Sequence, residues 1–363
     1  MDQTVSTDFY GQGAVQGEVA EYAARQGGRL DPGAMRPWVG RDGGTYITVY
    51  TGDGDPKEVK NYRSLSINTT GTLRPYEWRR LDDSILEVSR YRLGGMEDLI
   101  SNGLVYDLGN GMGTTVLEYH DSSDSMEATT TMDGVTRSNG DRVVFGAHYL
   151  PLPITHVDYE INTRVLTASR NMGNALDVTS AQHAARKVNE RLERMLFTDM
   201  KYSFGGGTIY SYINHPDINL VALPLAWDNP GKTGALIMAD VLAMKAASIA
   251  AYHYGPWMLY TPVGYEVLLD GDYGATSLST THRERILKID GIKGIKVIDS
   301  LPANTVLLVQ MTPDVVRLVR GMPLQNVEWQ TEGKFITKYK VMTIQVPQVR
   351  SDANGASGIV KLA

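Results

Sequence analysis

The stretch DVTSAQHAARKVNERLERMLFTDMKYSFGGGTIYSY, residues 177–212, joins a long amphipathic pattern to an abrupt glycine break. Apolar residues recur every three or four positions, which predicts one long helix over residues 177–200. The apolar stripe comprises Val178, Ala181, Ala185, Val188, Leu192 and Met195. At ~1.5 Å per residue such a helix is roughly 30 Å long. We therefore expect a structural spine, with Val188 and Leu192 at the centre of its buried face.

The amino end and the polar face of this helix carry their own signals. Thr179 followed three residues later by Gln182 predicts a capping box, and Asp177 adds negative charge there. The face opposite the stripe is charged and is expected to face solvent. Its arginines are Arg186, Arg191 and Arg194.

Beyond the helix, three consecutive glycines, Gly205, Gly206 and Gly207, break the chain. A β-branched and aromatic run over residues 208–213 follows, which predicts a strand. Taken alone, the whole stretch fits an ordinary helix, loop and strand of a globular enzyme. The sequence on either side of it therefore has to decide the fold.

Composition narrows the class of protein. With 363 residues and 42% apolar content the chain can bury a sizeable core. The 41 acidic and 35 basic residues give a net charge of −6, which disfavours general attraction to nucleic acid or anionic membranes. The absence of cysteine rules out disulfides and thiolate metal sites. No transmembrane-length apolar run or signal peptide is present, so we expect a soluble protein without a membrane partner.

The first 75 residues are rich in glycine and contain one clear alternating strand, at residues 45–50. We interpret residues 1–75 as an extended arm that is ordered only where it lies on something else. Helical patterns follow over residues 76–93, with Pro75 in the first turn, and over residues 96–100.

These helices are expected to end at glycine signals. The first should stop at Gly94 and Gly95, and the second at Asn102 and Gly103. Together they make residues 76–110 a helical segment.

Residues 111–155 form the second informative stretch. Two strand-like runs, at residues 114–120 and 142–149, enclose a polar segment rich in Ser, Thr, Asp and Gly. An isolated two-stranded ribbon of this length is marginal in water, so we expect it to pack on a neighbouring subunit. The alternative is a disordered surface insertion.

An α/β pattern occupies residues 216–325, and a strand-rich tail occupies residues 326–363. Helices are expected at residues 233–254, 262–269 and 280–288. Strands are expected at residues 257–260, 295–298, 305–310, 315–319, 327–330, 335–346 and 358–362. Because strands lie at both ends of this half, we expect the chain to leave one domain, form a compact α/β insertion and then return to the first domain.

Motifs with catalytic chemistry are incomplete. Gly231-Lys232-Thr233 resembles the end of a phosphate-binding loop, but Ala226 replaces its first glycine. Glycines at 109, 111 and 113 lead into a strand instead of a helix, which does not suit a dinucleotide. No histidine pair has zinc-ligand spacing and no serine-nucleophile motif occurs. The sequence does not exclude a paired-carboxylate site, since acidic residues distant in sequence can meet in the fold. We nevertheless expect no catalytic, cofactor or metal site and no enzyme activity.

In the order of its parts, the chain from residue 76 to residue 363 resembles the major capsid proteins of tailed bacteriophages. These share the Hong Kong 97-type capsid fold with encapsulin shell proteins. The resemblance lies in layout: the hairpin, the long helix and three segments around them. The segments are LPLPIT at residues 150–155, GGGTIYSYINHP at residues 205–216 and GIVKL at residues 358–362.

The resemblance implies an α+β fold with named parts. Residues 1–75 would be the N-terminal arm, and residues 76–110 would be N-terminal helices of the peripheral domain. The extended β-hairpin loop would be residues 111–155. The remaining parts would be the peripheral domain at 156–215 with spine helix 177–200, the axial domain at 216–325, and return strands to the peripheral domain at 326–363.

The function implied is that of a major capsid protein. It would self-assemble into hexamers and pentamers of an icosahedral shell that encloses double-stranded DNA, in a virion assembled in the host cytoplasm. Expected partners are further copies, a portal, and a scaffold or decoration protein. Arg186, Arg191 and Arg194 would face the packaged DNA weakly. The alternatives are an encapsulin-like compartment, which a long arm disfavours, and an α/β enzyme or ligand-binding protein.

One prediction follows from the lysines. One branch of the family welds its shell by joining a loop lysine to an asparagine of a neighbour. No lysine occurs between Lys60 and Lys187, so residues 111–155 cannot supply that bond. Mature particles boiled in detergent should therefore run as a single chain near 39.9 kDa on a gel. A ladder of covalent multimers after boiling would contradict this.

Overall fold

The computed structural model describes most of the chain from residue 36 onward. The described residues are 36–50, 61–67, 73–89, 94–109, 111–122, 130, 132, 145–171, 178–273, 280–332, 335–352 and 355–363. The expected arm before residue 36 and the centre of the expected loop lie outside these ranges. Helices and sheets are both present, which confirms the α+β class.

The described α-helices are α1 (Pro75–Ser89), α2 (Gly94–Ser101), α3 (Thr163–Asn171), α4 (Thr179–Phe197), α5 (Gly234–Ala250), α6 (Glu266–Asp270) and α7 (His282–Leu287). Short 3-10 turns occupy Gly111–Gly113 and Val263–Tyr265.

The described strands are β1 (Trp38–Val39), β2 (Thr45–Tyr50), β3 (Tyr62–Ile67), β4 (Val105–Asp107), β5 (Val116–Ser122), β6 (Phe145–Pro151), β7 (Thr155–Asn162), β8 (Tyr202–Phe204), β9 (Gly207–Ile209), β10 (Asn219–Val221), β11 (Trp257–Pro262), β12 (Ile292–Ile298), β13 (Val306–Gln310), β14 (Val316–Glu332), β15 (Ile336–Val349) and β16 (Ile359–Leu362).

The helix α4 is the element around which the main core forms. Its apolar stripe is buried, with Val188 fully enclosed and Leu192 2% exposed. The helix packs on α1, β7 and β15. The predicted spine helix is thus confirmed as an element, with bounds slightly inside the expected 177–200.

The predicted capping box at the start of α4 is wrong. The helix begins at Thr179 itself, so the N-cap residue is Val178, and no side chain caps it. The backbone N–H of Gln182 instead donates to the carbonyl of Val178 at 3.0 Å. A capping box does exist at α7, where Thr281 and Glu284 satisfy each other's backbone N–H groups.

A four-stranded sheet in the order β4-β14-β15-β7 lies beneath α4. Strand alternation sends Leu318 and Val341 into the core under α4, whereas Val319 and Met342 face the other way. The strand β14 was expected as two short strands, at 315–319 and 327–330. It runs unbroken because register shifts at three places along its pairing with β15 accommodate irregular residues.

A five-stranded sheet in the order β10-β16-β13-β11-β12 forms the second half of the molecule. One face carries Tyr260 and Val309 into the core shared with α4, and the other carries Leu259 and Leu308 under the helices α5, α6 and α7. Both faces are therefore covered, which explains the nearly continuous apolar runs of β11 and β13.

The final strand is placed differently from the prediction. Residues 326–363 were expected to return together to the peripheral domain, but β16 lies inside the five-stranded sheet. It pairs in parallel with β10 and antiparallel with β13. Conversely, β14 starts within the expected axial region and belongs to the four-stranded sheet. Alternation fixes which face of a strand is buried, but not which neighbour it pairs with.

Two local predictions also need correction. Gly94 and Gly95 do not end the first helix, which stops at Ser89; they begin α2 instead. The run 208–213 is a strand only as far as Ile209. It then turns, because the backbone N–H of Ser211 donates to the side chain of Asn214 at 2.8 Å.

Part of the expected arm is folded. The strands β1, β2 and β3 form an antiparallel sheet whose buried residues include Ile47 and Leu65. The indole N–H of Trp78 in α1 donates to the carbonyl of Pro37 at 3.0 Å. The described residues 36–50 and 61–67 are thus attached to the body of the molecule through α1, although the sequence predicted only β2 clearly.

The buried stripe of α4 yields a stability prediction. Val188→Asp would place an unpaired carboxylate in the main core, at a cost of several kcal/mol. Soluble folded subunit should be lost, as measured by soluble yield and circular dichroism. His183→Asp is the matched control, because His183 is exposed on the same helix. Equal yields of the two variants would show that the stripe is not the packing face.

Candidate assembly surfaces

The base of the extended hairpin is anchored to the four-stranded sheet. The strands β5 and β6 pair from Val116 opposite Pro151 to Ser122 opposite Phe145. Leu150 and Leu152 are buried with Val319 and Ile344 in a separate apolar cluster on the sheet face away from α4. The predicted hairpin is therefore present at its base, and its direction is set by that cluster.

The three predicted glycines lie against this base. Gly205 and Gly206 form the turn of the small β8–β9 hairpin, with positive φ of 60° and 81°, and Gly207 begins β9. A Cβ atom on Gly207 would lie 2.0 Å from the carbonyl oxygen of Tyr149 in β6. Only glycine lets the β8–β9 hairpin press on β6 in this way, so these residues help to hold the loop base.

The start of the loop shows a second close backbone approach. A Cβ atom on Gly111 would lie 2.2 Å from the carbonyl oxygen of Gly321 in β14. Gly111 was first considered as part of a possible dinucleotide motif. Its role is instead to let the 3-10 turn before β5 contact the four-stranded sheet.

The three arginines predicted to face DNA lie on the exposed side of α4. Arg186 pairs with Glu190, with 3.0 Å between the guanidinium Nε and the carboxylate. Arg191 and Arg194 are exposed. The helix thus keeps these arginines apart from the glycine turn and from the buried Val188 and Leu192. Their orientation toward DNA stays a prediction.

A polar junction, consisting of Asp98, Lys296, Tyr260 and Glu193, joins the two halves of the core. Lys296 of β12 lies 2.7 Å from one carboxylate oxygen of Asp98 in α2. The hydroxyl of Tyr260 in β11 donates to the other oxygen at 2.8 Å. Asp98 is 5% exposed, so this carboxylate is buried and doubly satisfied. No sequence motif indicates this junction, because its members come from four separate elements.

Glu193 is the strained member of the polar junction. Its Oε1 accepts the backbone N–H of Gly95 at 3.3 Å, while its Oε2 is buried without a partner among the described residues. Burial raises the pKa of Glu193 from 4.5 to about 7, and backbone N–H groups of α2 offset part of that effect. The carboxyl group is therefore partly protonated near neutral pH.

The outer face of α5 is an exposed apolar surface. Leu236, Leu242 and Ile249 are 46%, 50% and 40% exposed, respectively. The other exposed positions of the helix are alanines, namely Ala235, Ala239, Ala243, Ala246 and Ala250. The charged residues of the helix, Asp240 and Lys245, hydrogen-bond to Trp227 and to the Asp290 carbonyl. Contiguous apolar surface of this kind marks interaction sites.

The motifs considered for enzyme chemistry have structural roles. Lys232, the lysine of the incomplete phosphate-binding motif, is buried and lies 2.7 Å from the carboxylate of Asp240. His215 and His282 are buried, and burial lowers the pKa of both imidazoles. The described residues contain no group of side chains placed to hold a metal ion. None of the described helices is long and apolar enough to cross a bilayer.

Solved structures with the same fold are shells of particles. A virus-like particle from Pyrococcus furiosus matches with a TM-score of 0.58 and 18% identity, over 80% of this chain and 100% of that one. The capsid of Myoviridae phage XM1 matches with a TM-score of 0.55 and 10% identity, over 72% and 90%. The capsid of a native GTA particle matches with a TM-score of 0.51 and 12% identity, over 75% and 91%.

These likenesses establish the Hong Kong 97-type capsid fold, as the sequence resemblance implied. A family model described as a family of unknown function, DUF6260, matches residues 68–362. The chain therefore belongs to that family. No curated protein matches it.

The polar junction yields a pH prediction. Because the folded-state pKa of Glu193 lies above its unfolded value, the folded state binds more protons between pH 4.5 and about 7. Its contribution to stability is therefore greatest below pH 4.5 and falls as the pH rises toward 7. Glu193→Gln should remove this slope and stabilise the protein at alkaline pH by on the order of 1–3 kcal/mol.

Denaturant unfolding at several pH values measures this effect. Glu190→Gln is the control, because the hydrogen bonds from Lys187 and Arg186 lower the pKa of Glu190 despite partial burial. That variant should lose a little stability at neutral pH. A Glu193→Gln variant with the wild-type slope would show that this carboxyl group is not buried in solution.

Proposed function

We propose that this protein is the major capsid protein of a tailed bacteriophage. In this role it assembles into hexamers and pentamers of an icosahedral shell that encloses double-stranded DNA. The observation that carries the proposal is the fold, which covers most of this chain and matches particle shells from a phage, a GTA particle and a virus-like particle. The role is structural, and the protein needs no catalytic site or cofactor for it.

Two surfaces of the molecule support self-association. The outer face of α5 exposes Leu236, Leu242 and Ile249 to water, and a neighbouring copy would cover them. The described base of the hairpin β5–β6 is held between the β8–β9 turn and the four-stranded sheet. Such a ribbon suits contact with an adjacent subunit.

Packaged DNA would be held without tight binding. The net charge of −6 disfavours strong attraction, and the arginines of α4 are few and partly neutralised by Glu190. The other proposed partners are a portal and a scaffold or decoration protein. Assembly would take place in the host cytoplasm before the protein resides in the virion.

An encapsulin-like compartment is the second candidate, because the virus-like particle from Pyrococcus furiosus has the same fold over its whole chain. Both candidates require a shell and differ in its contents. A viral shell should contain nuclease-protected double-stranded DNA. A compartment should contain a co-purifying protein and no DNA.

The experiment is to size the purified full chain by light scattering and to assay native particles for protected DNA. Leu242→Glu should keep the subunit folded but unassembled, because a carboxylate would be buried at the α5 contact. Leu242→Met keeps the face apolar and should assemble normally. A small wild-type oligomer, or DNA-free particles, would contradict the viral proposal.

A further inference from the structure

Two arginines lie together at the end of the four-stranded sheet. Arg317 is in β14, and Arg350 follows β15, where its backbone N–H donates to the carbonyl of Val315 at 2.8 Å. Each guanidinium lies over a tyrosine ring. The guanidinium carbon of Arg317 is 4.6 Å from the ring centroid of Tyr106, and that of Arg350 is 5.9 Å from the ring centroid of Tyr119.

Neither guanidinium has a carboxylate partner within the described part of the chain. Arg350 reaches only the carbonyls of Pro313 and His120, at 3.5 Å and 3.4 Å. Arg320 on the same strand shows the contrast, since it holds both carboxylate oxygens of Asp107 at 2.5 Å and 2.8 Å.

A buried glutamine holds one of the two arginines in place. Gln348 lies opposite Arg317 in the sheet, and its Oε1 accepts the Nε–H of Arg317. The residue is 1% exposed, and its Nε2 is buried without a hydrogen-bond partner among the described residues. Because Gln348 is enclosed, it positions the guanidinium of Arg317 and does not itself contact a ligand.

The pair is also electrostatically strained. Burial, and then the positive charge of Arg350, lower the pKa of Arg317. Two like charges held close together without a counter-ion destabilise each other, so an added anion would relieve that repulsion. Arginine suits such a role, because its planar fork binds a carboxylate or phosphate through two parallel hydrogen bonds.

We propose that Arg317 and Arg350, with Arg317 held in place by Gln348, form an oxyanion site that accepts a carboxylate side chain from a neighbouring copy of this protein. The inference rests on the proposed function, since it requires copies to meet. The surroundings favour a carboxylate over DNA. Two arginines can bind one carboxylate, whereas a duplex needs an extended basic surface to follow its phosphates.

The test compares subunits with particles. Arg350→Gln should raise the subunit concentration needed for assembly about tenfold, the equivalent of one lost charged pair. The melting temperature of the unassembled subunit should change little, because the removed repulsion offsets the lost contacts of Arg350 with Tyr119 and two carbonyls. Arg80→Gln is the control for the loss of one exposed arginine, on α1, and should leave assembly unchanged. Arg350→Lys keeps the positive charge but lacks the planar guanidinium with its two parallel donors. Its assembly should therefore be intermediate between those of Arg350→Gln and the wild type.

Three outcomes would overturn the assignment. Unchanged assembly of Arg350→Gln would show that the pair binds nothing there. An equal loss of subunit and particle stability would place the carboxylate within the same chain. An effect confined to DNA-filled particles, with empty shells unaffected, would identify the anion as a phosphate.

Inorganic phosphate separates failure of this site from failure of the proposed function. At constant ionic strength, phosphate should raise the melting temperature of the wild-type subunit above its value in chloride, and Arg350→Gln should lose that shift. A phosphate effect in a chain that forms no shell would support the oxyanion site and refute the shell. Normal shells without any phosphate effect would refute the site and leave the shell intact.

Discussion

The burial of the α4 stripe is the interaction on which the rest of the molecule depends. The cluster around Val188 and Leu192 takes Leu318 from the four-stranded sheet and Val309 from the five-stranded sheet. Fully burying one such side chain is worth about 1.5–3 kcal/mol. Since both sheets pack against one helix, the loop base on one sheet and the α5 face over the other are positioned relative to the same element.

Apolar packing alone would leave the relative orientation of the two sheets loosely defined, and the polar junction supplies the missing specificity. A shifted docking of α2 would leave the Asp98 carboxylate buried without Lys296 and Tyr260. Removing one partner of a buried ion pair typically costs about 3–5 kcal/mol, although the intact pair adds little net stability. The polar junction therefore destabilises wrong orientations of the two sheets more than it stabilises the correct one.

Periodicity in the sequence was sufficient to predict α4, the hairpin base and most elements of the second half. Strand pairing was not predictable, because the sequence of β16 is equally compatible with β13 or β15 as its neighbour. The glycines at 205–207 signalled a break, but their contact with Tyr149 depends on a partner more than 50 residues away. Arg317 and Arg350 carried no signal at all, since their proximity depends on the register of β14 and β15.

Several features that the isolated subunit leaves incomplete lie at its surface. Inside, Asp98 has both carboxylate oxygens satisfied, whereas outside α5 exposes leucines, and the guanidiniums of Arg317 and Arg350 have no carboxylate partner among the described residues. A stable isolated interface between two proteins buries about 800 Å² per partner. A closed shell repeats every contact around each subunit, so individually weak contacts become strong in sum. Weak contacts also let a misplaced subunit leave before the shell closes, which a single strong interface would prevent.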